Sequence, residues 1–560
     1  MIEKAKRQID ELIAGAYAKA QAAGALPAGG EFSGQVEIPR DTAHGDYAAT
    51  HAMAAAKALK MPPRKIAEAL TEHLDLAGSY FISLSIAGAG FINFVLSDKW
   101  YGDLLCEVEQ MGDNYGAIDF GQGRRVMVEF VSANPTGPMT IGNARGGVLG
   151  DTLAAVLARA GYNVWREFYV NDSGNQVELF GRSIDARYMQ LCLGEDAFPF
   201  PEDGYHGDDI RDLAKLVFEA EGDKLKALPE GERVKKFTAF ALPHNIALMK
   251  EHLERYRIHF NQWFLESSLY ESGYVEETVK LLQDGGLIYE KDDALWLKNM
   301  ELGADKDEVL RRSNGFYTYY AVDIAYHRDK LERGFDKVID VWGADHHGHA
   351  IRMKASMSAP PLGTDADKLD FLLMQMVRLT RDGETVKVSK RTGKALTLND
   401  LLDEISVDAC RFFFNAKPDS HLDFDLGLAV RQDSDNPVYY VQYAHARICS
   451  LISLLSDGYA VPKYTDIDAS LLSTEPERDL LKQIALLPEE IKLAARDYDP
   501  SRINKYVVEL AARFHRFYNA CRINGVEREL LLARLKLADT TRAVLKNCLE
   551  LLGITAPEKM

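Results

Sequence analysis

Residues Val128 to Asp151, VEFVSANPTGPMTIGNARGGVLGD, carry the chain out of an apolar run, Val126 to Val131, through a turn rich in proline and glycine, and into the helical apolar pattern Val148 to Leu157. Strand, turn and helix in that order are the repeating unit of a parallel α/β sheet. The runs Asn163 to Val170 and Val338 to Trp342 extend the alternation. The turn holds Pro135, Gly137, Pro138 and Gly142, and the open N–H groups and dipole at the following helix start would face a bound phosphate. Alone, such a turn is more often only structural. A second stretch, Val386 to Gly393 (VKVSKRTG), sets two lysines around a serine before a glycine. Lys387 and Lys390 alone read as solvated charges, but beside a phosphate-sized turn they point to one anion site.

A chain of 560 residues exceeds what one core supports, so several domains are expected. Residues 1–114 read as an α+β unit. It has a leading helix, a strand near Gly34 to Ile38, helices in Tyr47 to Leu59 and Lys65 to His73, and strands Tyr80 to Ala87 and Phe91 to Leu96 around Gly88 and Gly90. An α/β domain follows over 115–375, interrupted at about 181–299 by acidic helices and turns that read as an insertion. Residues 376–434 carry the VKVSKRTG stretch. From 435 to 560 apolar residues recur at helical spacing through Leu451 to Leu455, Leu480 to Leu487, Val507 to Tyr518 and Leu530 to Leu537, which predicts an all-α bundle.

Charges interrupt the amphipathic N-terminus, so neither a signal peptide nor a membrane span is expected, and cytoplasmic residence follows. Six cysteines without a CxxC pair argue against a zinc ribbon or a disulfide framework. Adjacent His346 and His347 point in different directions and have no third ligand at suitable spacing, so no metal site is expected. A net charge of −18 opposes a nucleic-acid partner in sum, but attraction depends on local patches, and basic residues outnumber acids between Arg496 and Lys546.

Thr140-Ile141-Gly142-Asn143 resembles the HIGH motif of class I aminoacyl-tRNA synthetases, with Thr140 and Asn143 in place of its histidines. Lys387-Val388-Ser389-Lys390 resembles their KMSK motif. Further segments narrow the resemblance to the arginyl-tRNA synthetase family: GDYAATHAMAAAKAL, GAGFINFVL, YVNDSGNQ, TYYAVDIAYHRDKLERGFD, DVWGADHHGH, DNPVYYVQYAHARICSL and LAARFHRFYNACRI. The resemblance implies a multidomain α/β protein with a Rossmann-type parallel-sheet catalytic domain carrying an insertion. It adds an N-terminal α+β domain that grips the outer corner of the tRNA, a stem contact within 376–434, and a C-terminal all-α anticodon-binding bundle.

The implied reaction joins arginine to ATP as arginyl-adenylate and then to the terminal ribose of the arginine tRNA. Transfer goes to the 2′-hydroxyl, activation depends on bound tRNA, and Mg²⁺ shares the phosphate charge. A monomer is expected by analogy. Thr140, Gly142, Asn143, Gly343, Asp345, Lys387, Ser389 and Lys390 would contact ATP; Thr140, Asn143, Lys387 and Lys390 would carry catalysis. A guanidinium needs carboxylates and directed acceptors, and Glu129 and Asp323 match acidic positions of the family. Tyr319 lies one turn before Asp323, Ser132 and Asn134 would hold the α-amino and carboxylate end, and His346 would line the side-chain end. In the bundle, Tyr439, Tyr443, Arg447, Arg513, Arg516 and Arg522 would contact tRNA through stacking and phosphate pairing. Two rivals stand beside this reading: a class I ligase for another amino acid, and a tRNA-binding paralogue without catalysis.

Overall fold

The computed structural model describes every residue of the chain except 30, 31, 40, 382, 387–395 and 417–419. The N-terminal helix Ile2–Ala22 buries Ile2, Ile9, Ile13, Ala16 and Ala20 on one face, spaced by three, four and seven residues. That face packs with a four-stranded antiparallel sheet in a common core. The strands are β1 (Val36–Glu37), β2 (Tyr47–Ala49), β3 (Phe81–Ala87) and β4 (Phe91–Leu96), in the order β1-β2-β4-β3. The helix expected from Tyr47 begins only at His51, because Tyr47–Ala49 pair with Ile92–Phe94 and are drawn into the sheet. Gly90 turns the β3–β4 hairpin at φ +137°, and a Cβ there would press on the backbone of Pro63 at 2.9 Å.

The central sheet contains β5 (Arg125–Glu129), β6 (Asn163–Val170) and β7 (Gln262–Leu265). A small antiparallel sheet of β8 (Ile288–Lys291), β9 (Ala294–Leu297) and β10 (Glu308–Arg311) flanks it, and β11 (Lys337–Gly343) and β12 (Leu369–Met374) complete it. All five central strands run parallel in the order β12-β11-β5-β6-β7. The order reverses between β5 and β11, and ligands of such sheets bind in the crevice beyond the strand C-termini at that switch point.

β7 corrects the insertion reading. It pairs with β6 in register from Glu167/Gln262 to Val170/Leu265, so the sheet continues inside 181–299. What projects from it is a helical unit built from Asn175–Leu193, Asp208–Glu221 and Glu230–Arg255. Its own core contains Phe180, Ile184, Tyr188, Leu213 and Phe237.

β13 (Val377–Arg381), β14 (Glu384–Thr385) and β15 (Leu422–Asp425) form a third sheet beyond β12. The chain then becomes helical as expected: Pro437–Leu455, Glu475–Ala485, Leu487–Asp497, Ser501–Ala520 and Arg528–Leu551. Buried Arg411 ties this bundle to the sheet. Its guanidinium donates to the carbonyls of Leu552 (2.8 Å) and Tyr256 (3.1 Å) and to Asp151 Oδ2 (2.5 Å) on the helix Ile141–Arg159.

Candidate active site

The helix after β5 starts at Ile141, seven residues before the apolar pattern that announced it. A reciprocal cap sets this start. The Thr140 N–H and hydroxyl donate to Asn143 Oδ1 at 2.9 and 2.8 Å, and the Asn143 N–H donates to Thr140 Oγ1 at 3.3 Å. Gly142 therefore lies in the first helical turn, and a Cβ there would meet only Thr140 Oγ1, at an ordinary contact distance of 3.6 Å. The cap consumes the Thr140 hydroxyl hydrogen that sequence reasoning assigned to phosphate. Among the described residues it leaves the Ile141 and Gly142 N–H groups and the Asn143 amide nitrogen without a hydrogen-bond partner.

Farther along, Gly147 and Gly150 face the sheet. A Cβ at Gly147 would lie 2.8 Å from Ile258 Cδ1, and one at Gly150 would overlap the Phe130 side chain. These glycines let the helix sit directly on the strand. Between β5 and the helix the backbone passes through φ +70° at Val131 and +42° at Ser132, conformations that side-chain-bearing residues seldom adopt and that cluster at ligand sites.

Lys387, Ser389 and Lys390 lie outside the described residues. The chain that follows them is placed: Thr397 bridges Thr140, and the Leu398 N–H donates to the Met139 carbonyl at 2.9 Å. Arg145 adds a second tie, donating to the Gln375 carbonyl at 2.5 Å and to that of Ser420 at 3.1 Å. The described chain on either side of the second motif, at Gln375 and at Thr397 and Leu398, thus meets the helix start that carries the first. The helical unit closes on the same turn, with the Asn245 amide donating to the Pro135 carbonyl at 2.8 Å.

Glu129 stands differently from expectation. In register beside Asp340 at the switch point, it is buried, holds Lys330 Nζ with one oxygen and accepts from Ser132 Oγ at 2.6 Å with the other. Lys330 also donates to Asp340 Oδ1 at 2.8 Å, and His327 Nε2 lies 2.8 Å from Asp340 Oδ2. One ammonium serves two carboxylates, and their affinities for protons split. Burial, aided by Asp340, raises the Glu129 pKa despite Lys330. At Asp340 burial acts in the same sense, but Lys330 and His327 outweigh it and lower the pKa. Glu129 therefore serves an internal cation and steadies Ser132, whose Oγ also accepts from the Tyr169 N–H at 3.3 Å.

Two other carboxylates lie within Coulombic reach of each other, Asp323 on the helix Tyr319–Glu332 and Glu266 beyond β7. Asp323 accepts from His349 Nε2 at 2.8 Å, and Tyr319, exposed one turn earlier, has its ring 5.7 Å from that of His349. Glu266 directly follows β7. It is buried, accepts from Tyr169 Oη at 2.6 Å and from Ser173 Oγ, and makes no ion pair among the described residues. Burial, then the charges of Asp323 and Asp172, raise its pKa. Sequence reasoning missed Glu266 because a four-residue strand inside a presumed insertion gives no periodic signal. His349 was passed over for His346, which is exposed with its ring 6.0 Å from Trp342. Asn134 donates to Gln176 Oε1 at 2.5 Å. Gly343 closes β11, and Asp345 projects into solvent beyond it. Among the described residues no three metal-ligating side chains gather.

In the bundle, Tyr439 and Tyr443 stack at 6.2 Å, and the Arg447 guanidinium lies 4.1 Å from the Tyr518 ring centroid. Arg513 pairs with Asp479 and Glu509, Arg516 pairs with Glu475, and Arg522 is exposed.

Comparisons with known proteins agree along the whole chain. The family described as tRNA synthetases class I (R), catalytic domain, matches residues 108–425; the arginyl tRNA synthetase N terminal domain matches 7–96 and the DALR anticodon binding domain 441–560. The arginine–tRNA ligase of Acetivibrio thermocellus is 51% identical over 563 aligned positions, covering 100% of both chains. That of Ruminiclostridium cellulolyticum is 52% identical over 99% of both. A crystal structure described as a putative arginyl-tRNA synthetase from Campylobacter jejuni superposes with a TM-score of 0.76 at 36% identity, covering 83% of this chain and 100% of that one. With a switch-point pocket of carboxylates beside a capped helix start, and relatives matching from end to end, the chain belongs to the arginyl-tRNA synthetase family.

Proposed function

We infer that this chain activates arginine with ATP and esterifies it to tRNA, and that Glu266 and Asp323 together receive the arginine side chain. One observation carries the assignment. Glu266 is a buried carboxylate held only by neutral hydroxyls among the described residues, with a second carboxylate in Coulombic reach. A buried charge without a counter-ion calls for a cationic ligand. A planar guanidinium presents its donors in a fork that two separated acids can accept.

Tyr319 and His349 wall the pocket, and Ser132 and Asn134 face the α-amino and carboxylate end. The arginine carboxylate attacks the α-phosphorus of ATP, expelling pyrophosphate. The terminal ribose hydroxyl of tRNA then attacks the carbonyl carbon of the adenylate, releasing AMP. No protein nucleophile is required, so orientation and stabilisation of developing phosphate charge dominate. The first-turn N–H groups at Ile141 and Gly142 and the Asn143 amide serve the phosphates, Gly343 and Asp345 serve the ribose, and Lys387 and Lys390 serve the departing pyrophosphate. Mg²⁺ arrives on the ATP phosphates, as suits an ion that keeps its waters and uses few protein ligands. Tyr439, Tyr443 and Arg447 form the stacking patch for unpaired tRNA bases, with Arg513, Arg516 and Arg522 at its margin.

By analogy with the family the protein acts as a cytoplasmic monomer; no described helix is long and apolar enough to cross a membrane. Pyrophosphate exchange and aminoacylation by the purified protein, screened over the amino acids with tRNA present, should select arginine. Selection of another amino acid would support the rival ligase, and binding of tRNA without charging would support the inactive paralogue.

A further inference from the structure

Between β10 and the helix Tyr319–Glu332 the chain makes a tight hairpin, residues 311–317, that no part of the site described above uses. Its geometry is fixed by backbone bonds. The Arg312 N–H donates to the Phe316 carbonyl and the Gly315 N–H to the Arg312 carbonyl, both at 2.9 Å, with Gly315 at φ +86°. The Phe316 N–H donates to Asn314 Oδ1 at 3.2 Å, and Arg311 bridges Tyr317. Tyr317 packs into the cluster of Tyr169, Phe264 and Tyr326 that backs the arginine pocket. Thr318 then caps the helix bearing Tyr319 and Asp323. On this fixed support Phe316 is 72% exposed and Tyr319 64% exposed. Among the described residues, the Arg311 and Arg312 guanidinia make no hydrogen bond or ion pair, in a chain of net charge −18 whose arginines are mostly paired. Three residues of chain span at most about 11 Å, so Phe316 stands at the lip of the pocket.

Exposed aromatic faces beside unpaired guanidinia are the combination that holds single-stranded nucleic acid, bases stacking on rings while cations meet phosphates. We propose that Phe316, with Arg311 and Arg312, forms a docking site for the unpaired 3′ end of tRNA, just ahead of the terminal ribose. This rests on the proposed function, which requires that ribose to reach an arginyl group held at Asp323. A site for ATP phosphates alone would have no use for Phe316.

The test uses the full chain and tRNA in two forms, intact and lacking its unpaired 3′ nucleotides. Phe316→Ala should weaken binding of intact tRNA about tenfold, in line with the loss of one stacked base. It should leave the affinity for truncated tRNA and the KM values for arginine and ATP within about twofold of wild type, while Phe316→Trp retains wild-type affinity. Replacing Arg311 and Arg312 by Gln should weaken intact tRNA and reduce the salt dependence of its binding by about one to two log–log units. Equal losses on both RNAs, a raised KM for ATP in either variant, or unchanged binding of intact tRNA would overturn the proposal. Wild-type failure to charge tRNA with arginine would instead refute the proposed function, and the binding comparison would still judge the hairpin.

Discussion

At the scale of single residues, the chain separates carboxylates by the company they keep. Glu129 and Asp340 share Lys330, whereas among the described residues Glu266 has only hydroxyl donors. Lys330→Met should destabilise the fold by about 3–5 kcal/mol, because it strands two buried carboxylates; denaturant unfolding near pH 7 measures this, and wild-type stability would refute the role. Glu266 must be ionised to receive a guanidinium, and its pKa in the free protein is raised. The kcat/KM for arginine should therefore fall with acidification from a pH above the ordinary carboxylate range, since that ratio reports the free enzyme's groups. Glu266→Gln should lower activity and abolish that inflection; an unchanged profile would remove Glu266 from the pocket. Sequence alone named Asp323 and Tyr319 at their places on one helix face, but it could not divide the acids, because the partner of Glu129 lies 201 positions away in Lys330.

Among elements, the helix Ile141–Arg159 shows how one segment serves packing and chemistry together. Gly150→Ala should cost about 1–3 kcal/mol through overlap with Phe130, with ATP affinity little changed in the folded fraction. Gly142→Ala meets only an ordinary contact with Thr140, so stability should hold while the KM for ATP rises. Thr140→Ala removes the cap, at about 1 kcal/mol. Calorimetry with ATP titration separates these outcomes, and the reverse ordering for the two glycines would contradict the assignment.

The same elements mark how far sequence reasoning reaches. β6 was legible to the residue, since eight strand-forming residues sit between clear turns. β7, at four residues, was not. The start of the following helix was legible from the end of the turn, whereas its apolar period shows only from Val148 because the glycines of GNARGG hide it, and the Thr140–Asn143 cap fixes the first turn. At Tyr47–Ala49 local helical preference lost to pairing with β4, a contact that no local pattern encodes.

For the whole molecule, the domains are joined by buried polar contacts. Arg411 links the last helix of the bundle, the end of the projecting helical unit and Asp151 on the phosphate-turn helix, whose cap lies about 16 Å away along one rigid element. Arg411→Met should lower the unfolding temperature and expose the bundle junction to limited proteolysis, because the Leu552 and Tyr256 carbonyls lose their donor, while Asp151 keeps its pair with Arg166. Wild-type protease resistance would show that the apolar core suffices to join the domains.

Steady-state aminoacylation kinetics of Asp323→Ala, with arginine and ATP varied separately, decide whether Asp323 and Glu266 read the arginine side chain beside an independently built phosphate turn. The KM for arginine should rise on the order of 100-fold, as for a truncated hydrogen-bonded charge pair, with the KM for ATP within about threefold of wild type. Equal losses for both substrates, or an unchanged KM for arginine, would contradict it.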